Sequence, residues 1–163
     1  MEKDIFFLER CLQLAQLGLG NVQPNPLVGA VITYEGKIIG EGWHQQFGQA
    51  HAEINAIQSV KNRELLKKST LYVNLEPCSH YGKTPPCTEE IIRQGIPKVV
   101  IGTLDPYENS KGRGVRQLQD AGIEVKHSII PEKCLFLNRR FFTFHEKKRP
   151  YIILKWAKTK NGF

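Results

Sequence analysis

The sequence predicts an α/β fold with a mixed sheet, parallel in its later part, and helices on both faces. Two observations predict it. An early pair of short apolar runs is split by Glu35-Gly36, a hairpin signal, so the first two strands run antiparallel. Beyond them helical and strand patterns alternate, the order of a parallel sheet with crossover helices. The 163 residues, 40% hydrophobic and 24% charged, suit one domain with its own core.

The elements follow in order. Residues 4–18 place Ile5, Leu8, Leu12 and Ala15 on one helical face, with Gly18 and Gly20 as stops. Asn25-Pro26-Leu27-Val28-Gly29 is a turn leading into a strand from Ala30 to Tyr34, and Lys37 to Trp43 is the return strand. Residues 51–60 have helical spacing at Ile54, Ile57 and Val60. Leu71 to Leu75 reads as a strand, Thr88 to Gln94 as a helix closed by Gly95, and Lys98 to Gly102 as a strand. Val115 to Ala121 is helical up to Gly122, and Ile123 to Lys126 is a short strand. Residues 131–149 read as one late helix, rich in aromatic and basic side chains, whose phenylalanines are packing residues. Tyr151 to Trp156 then reads as a further apolar strand. Right-handed crossovers bring the C-terminal ends of 71–75 and 98–102 to one edge, where such sheets bind ligands.

The longest apolar runs, Ile5-Phe6-Phe7-Leu8 and Tyr151-Ile152-Ile153-Leu154, are far too short to span a bilayer. The first ten residues lack the apolar region and small-residue cleavage site of a secretory signal, so a cytoplasmic location is expected. There thiols stay reduced, and paired cysteines point to metal or catalysis. Cys11 and Cys134 read as buried core thiols. A formal net charge of +7 favours an anionic partner, a phosphorylated metabolite or a nucleic acid, and equally fits a plain basic surface.

The stretch EPCSHYGKTPPC, from Glu76 to Cys87, sits where a site is expected. With His51 it supplies one imidazole and two thiolates, Cys78 and Cys87, a zinc donor set. Three protein ligands leave a position for water, whereas His80 or His44 as a fourth would close the site; the count alone permits both. Glu53, two residues after His51, is placed to carry protons for a metal-activated water. His-x-Glu, then Pro-Cys, then a second cysteine is the signature of zinc-dependent base deaminases. The spacing differs: eight residues separate Cys78 from Cys87, where nucleic-acid and nucleoside deaminases have two. Lys83 in this loop suits an anionic substrate group.

The run HAE with EPCSHYGKTPPC, the Asn25-Pro26-x-Val28-Gly29 turn, Gly42-Trp43-His44 and Leu104-Asp105-Pro106 resemble the deaminase domain of the bifunctional riboflavin-biosynthesis deaminase/reductase family. The resemblance covers roughly residues 4–145. It implies a cytidine-deaminase-like three-layer αβα sandwich around a mixed five-stranded sheet. It also implies zinc-dependent hydrolytic removal of the 2-amino group from 2,5-diamino-6-ribosylamino-4(3H)-pyrimidinone 5′-phosphate. By the same resemblance His51, Cys78 and Cys87 hold zinc, and Glu53 is catalytic. Asn25, His44, His80, Lys83 and Asp105 then contact substrate. The family pattern Asp-Pro-Asn-Pro is here Asp105-Pro106-Tyr107-Glu108, which removes one ribose or phosphate contact. Residues 1–146 are expected to form the deaminase domain, and 147–163 a linker and the first strand of a truncated reductase domain. The expected partner is a small phosphorylated pyrimidine, with no nucleic acid or membrane, and the expected assembly is a homo-oligomer. The rival readings are a tRNA or nucleoside deaminase and a non-catalytic zinc module. The long Cys–Cys loop argues against a polynucleotide, and Glu53 has no purpose in a zinc module.

Overall fold

The structure is a computed structural model that describes residues 2–81, 85–106 and 111–162. A sheet with strand order β2-β1-β3-β4-β5 forms its middle layer. The strands are β1 (Gly29–Tyr34), β2 (Lys37–Trp43), β3 (Thr70–Leu75), β4 (Lys98–Thr103) and β5 (Glu124–Lys126). β1 pairs antiparallel with both β2 and β3, whereas β3–β4 and β4–β5 are parallel. This is the mixed sheet that the hairpin and the later alternation predict. The hairpin turn has positive φ at Glu35 (49°) and Gly36 (78°), the left-handed pair whose twist matches its strands.

Every second residue of the central strands points to one layer. Ala30, Ile32, Leu71, Val73, Val99 and Ile101 face one core, which helices α2 (Ala52–Ser59), α3 (Cys87–Arg93) and α4 (Arg113–Asp120) cover. Val31, Tyr72 and Val100 face the other, covered by α1 (Glu2–Gln16) and α5 (Pro131–Leu137). The molecule is therefore a three-layer αβα sandwich. α2 lies close against β2 because residue 42 is glycine: a Cβ there would stand 2.3 Å from the Ala56 nitrogen and 2.7 Å from the Ala52 oxygen.

Three elements differ from the sequence reading. α1 buries Phe7, Leu8, Cys11, Leu14 and Ala15; of the four residues the spacing picked out, Leu8 and Ala15 are buried and Ile5 and Leu12 lie half-buried at the edge of the same core, because a sheet covers more of a helix than a narrow seam does. The single late helix is two, α5 and α6 (Arg139–Lys147), broken at Asn138. Asn138 is 4% exposed; its side-chain oxygen accepts from the Leu27 N–H and its amide donates to the Leu27 carbonyl, both at 2.8 Å. That clasp ties the α5–α6 junction to the loop before β1. Third, residues 151–156 form no strand and are exposed, since no neighbouring strand satisfies their backbone. A short 3₁₀ helix, Arg63–Lys68, joins α2 to β3. No described helix is long and apolar enough to cross a membrane.

The Asn138 clasp predicts a stability effect. Asn138→Ala removes two hydrogen bonds from partly buried backbone and is expected to lower stability by about 2 kcal/mol. Urea unfolding checks it; an unchanged midpoint would show that water serves Leu27 equally well.

Candidate metal centre and substrate cleft

The site is built at the C-terminal ends of β3 and β4. Their pairing runs to Leu75 opposite Thr103, and the next residue, Glu76, donates its N–H to the Thr103 carbonyl at 3.0 Å. Two residues on, the chain reaches Cys78. The loop then returns, and Cys87 opens α3. The Cys87 N–H donates to the Cys78 sulfur at 3.3 Å, and the Thr88 N–H and hydroxyl both reach the Cys78 carbonyl at 3.2 Å. The start of α3 thus closes around Cys78, so the helix-terminal N–H faces the first sulfur rather than its own.

His51 comes from the other side of the cleft. It is the N-cap of α2 but makes no side-chain capping bond, so its ring turns to the cysteines. Its Nδ1 lies 3.3 Å from the Cys87 Sγ and 3.5 Å from the Cys78 Sγ. The three ligand atoms lie within 4.8 Å of one another, and among the described residues no fourth His, Cys, Asp or Glu joins them. His44, the internal candidate for a fourth ligand, has both nitrogens engaged: Nδ1 lies 3.1 Å from the Ala50 carbonyl and Nε2 3.1 Å from the Asn25 Nδ2. The carbonyl can only accept, so Nδ1 carries the proton and Nε2 accepts from Asn25. His44 stacks edge-on against His51 with ring centres 5.4 Å apart, and burial lowers its pKa.

The charges show what this donor set favours. The Cys78 thiol is held below its ordinary range, first by the hydrogen bond from Cys87 and then by His51, against its burial. Cys87 moves up, because it donates to Cys78 and is buried. His51 is pushed up to about 9, chiefly by the Cys78 sulfur. A soft sulfur kept anionic beside a second sulfur and an imidazole fits a thiophilic divalent cation such as zinc.

Glu53 stands beside this group on the first turn of α2, 3% exposed. Burial pushes its carboxyl up to about 7, against the pull of His51. A carboxylate titrating near neutrality is suited to both taking and giving a proton.

His51, Glu53 and Cys78 line one cleft of about 570 Å³, with Cys87 buried beside it. Asn25, His44, His80 and Asp105 line it too. His80 is exposed at its rim, and Lys83 and Tyr107 lie outside the described residues. Sequence reasoning missed Phe141, Phe144 and His145 of α6, which form the opposite wall. It treated these phenylalanines as packing, and of the group only Phe142 is buried. It also missed Glu76, a buried acid next to Pro77-Cys78, although a charge directly after five strand residues was visible.

A stability test follows for the metal-free protein. The unfolded carboxyl of Glu53 loses its proton near 4.5, the folded one near 7. Between these values the unfolded state sheds its proton first, so rising pH favours unfolding through that window and no further above it. Glu53→Gln removes this burden. The metal-free variant is expected to exceed wild type by about 3 kcal/mol at pH 8 and to match it below pH 4. Denaturation of chelator-treated protein at the two pH values measures the difference; equal curves at pH 8 contradict the burial.

The family model for the cytidine and deoxycytidylate deaminase zinc-binding region matches residues 1–103. The riboflavin biosynthesis protein RibD of Aquifex aeolicus is 48% identical over 99% of this chain and 45% of its own length. The diaminohydroxyphosphoribosylamino-pyrimidine deaminase of Buchnera aphidicola is 46% identical over 86% of this chain and 94% of its own. The crystal structure of a diaminohydroxyphosphoribosylaminopyrimidine deaminase/5-amino-6-(5-phosphoribosylamino)uracil reductase from Thermotoga maritima superposes with a TM-score of 0.92 at 46% identity, covering 98% of this chain and 46% of that one. The chain spans less than half the length of the RibD relatives it matches, 45%, 42% and 44% for three of them.

Proposed function

The chain belongs to the zinc-binding cytidine and deoxycytidylate deaminase family, among the diaminohydroxyphosphoribosylaminopyrimidine deaminases, and from that premise we propose its reaction. It hydrolyses 2,5-diamino-6-ribosylamino-4(3H)-pyrimidinone 5′-phosphate to 5-amino-6-ribosylaminouracil 5′-phosphate, releasing ammonia, in riboflavin biosynthesis. The observation that carries this reading is the grouping of one imidazole and two sulfurs beside a buried carboxylate in an open cleft. A relative of nearly the same extent bears the name of this activity.

His51, Cys78 and Cys87 hold zinc in this reading, and zinc when bound makes water acidic enough to act as a nucleophile near neutral pH. Glu53 takes a proton from the attacking water and passes it to the ring nitrogen beside C2. It then takes the second proton from the hydroxyl now on C2 and delivers it to the amine; the C2–N bond breaks, C2 keeps the oxygen as a carbonyl, and the nitrogen leaves as ammonia. Its burial supports the role, because a group near pH 7 both accepts and donates at little cost. Asn25 and His44 form a fixed pair at the cleft wall, with the Asn25 oxygen left for the pyrimidine edge. His80 and Asp105 contact substrate from the cysteine loop and the loop after β4, and Lys83 meets the 5′-phosphate. Residues 147–163 are the linker and first strand of a reductase domain in the same reading, and the unpaired apolar run 151–154 supports it.

Ammonia release from the diaminopyrimidine phosphate, set against cytidine and adenosine, tests the substrate class together with metal content. Preference for a nucleoside moves the chain to another deaminase class; bound zinc with no ammonia from any of the three leaves a zinc module. Glu53→Gln is expected to keep its zinc and lose turnover by about a hundredfold to ten-thousandfold. Near-wild-type rates in that variant, with zinc confirmed, contradict the assignment.

A further inference from the structure

Glu76 is a buried acidic side chain that this chemistry does not use. It is 5% exposed at the end of β3, two residues before Cys78. Among the described residues its carboxylate accepts four backbone N–H groups. Oε2 takes those of Asp105 at 3.1 Å and Gly112 at 2.9 Å, and Oε1 those of Gly114 at 2.9 Å and Val115 at 3.2 Å. One side chain thus joins the strand that leads to the metal ligands, the loop after β4 and the first turn of α4. Gly112 sits at φ 75°, and a Cβ on Gly114 would stand 2.3 Å from the Pro77 carbonyl. The backbone of both glycines is shaped to this approach.

Asp105 lines the cleft, and its N–H is held by Glu76. We propose that Glu76 is a positioning residue that fixes Asp105, and so one wall of the substrate cleft, relative to the metal-ligand loop. This rests on the deaminase reading above. The role is more than capping α4, because a cap would need only the Gly114 and Val115 bonds. Those two are buried, whereas the Asp105 and Gly112 bonds are partly buried. In Glu76→Gln the one remaining oxygen therefore goes to the buried pair, and the amide NH₂ turns toward Asp105 and Gly112. That substitution releases the cleft wall and keeps the helix cap.

The test is a cycle of Glu76→Gln, Asp105→Ala and the double variant, with zinc content, kcat, KM and amide exchange measured on the full chain. Glu76→Gln is expected to raise KM about tenfold with kcat within about twofold, zinc unchanged and exchange faster at Asp105 and Gly112. In the Asp105→Ala background it is expected to add less than about twofold, since the group it positions is gone. An unchanged KM, or an effect of full size in both backgrounds, overturns the proposal and leaves Glu76 a helix cap. Should Glu76→Gln not fold, Gly112→Ala strains the same loop without touching the carboxylate, and an unchanged KM there overturns it equally. A wild-type chain that releases no ammonia sinks the deaminase reading instead; unchanged exchange at Asp105 and Gly112 in Glu76→Gln then decides against Glu76 on its own.

Discussion

The parallel register of β3 with β4 is the constraint from which the site follows. Parallel strands end at the same edge, and the last pairing, Leu75 with Thr103, is carried one step further by the Glu76 N–H on Thr103. The chain leaving β3 holds Cys78 and, after its loop, Cys87. The chain leaving β4 holds Asp105. Both therefore leave the sheet at the same edge, and the Asp105 N–H on Glu76 then ties the second loop to the first. His51 needs a second arrangement, the close seat of α2 on β2 that Gly42 permits. The imidazole then comes from one half of the sheet and the sulfurs from the other. A metal centre at that seam joins the antiparallel and parallel halves of the sheet.

Much of this was legible in the sequence because it is local. The hairpin, β3, β4 and the helices between them follow from runs of five to ten residues whose period is either two or near four. His51, Glu53, Cys78 and Cys87 were legible because their residue types in that order have one chemistry. The rest was set by partners distant in the chain. The helix break at Asn138 depends on Leu27, 111 positions away, and nothing near Asn138 announces it. The four donors of Glu76 lie 29 to 39 positions ahead of it. The run 151–156 has the composition of a strand, but strand pairing belongs to two segments and composition to one. The cleft wall made by Phe141 and Phe144 was hidden for a related reason. Phenylalanine on a helix has the same pattern whether it faces a core or a ligand.

The loop before β1 is held from two directions. Asn74 accepts from the Gly29 N–H at 2.8 Å and donates to the Leu27 carbonyl at 3.1 Å, and Asn138 clasps Leu27 from the other side. Asn74 is on β3 and Asn138 joins α5 to α6. The two amides fix the peptide groups next to Asn25, so Asn25 meets His44 in a set orientation. His44 is fixed in turn by the Ala50 carbonyl, the residue before His51. A chain of hydrogen bonds thus runs from the sheet interior to the backbone just before His51. Ion pairs between described residues, such as Arg10 with Glu41 at 2.7 Å, stand outside this chain of bonds.

Two acids stand within this small region, and their surroundings separate their work. Glu53 and Glu76 are almost equally removed from water, at 3% and 5% exposure. Glu76 meets four N–H groups, which occupy both of its oxygens and hold it in place. Such a group is a fixed acceptor around which backbone is arranged. Glu53 meets far less, the thiol of Cys87 and its own N–H, and burial dominates its titration. A proton on Glu53 therefore costs little, and so does its loss. Identical side chains in similar burial are split by the number of donors aimed at them: where the N–H groups converge the carboxylate builds structure, and where they are few it is left able to move a proton. The sequence writes both as Glu. The distinction exists only once β3, β4 and α4 have brought their backbones together.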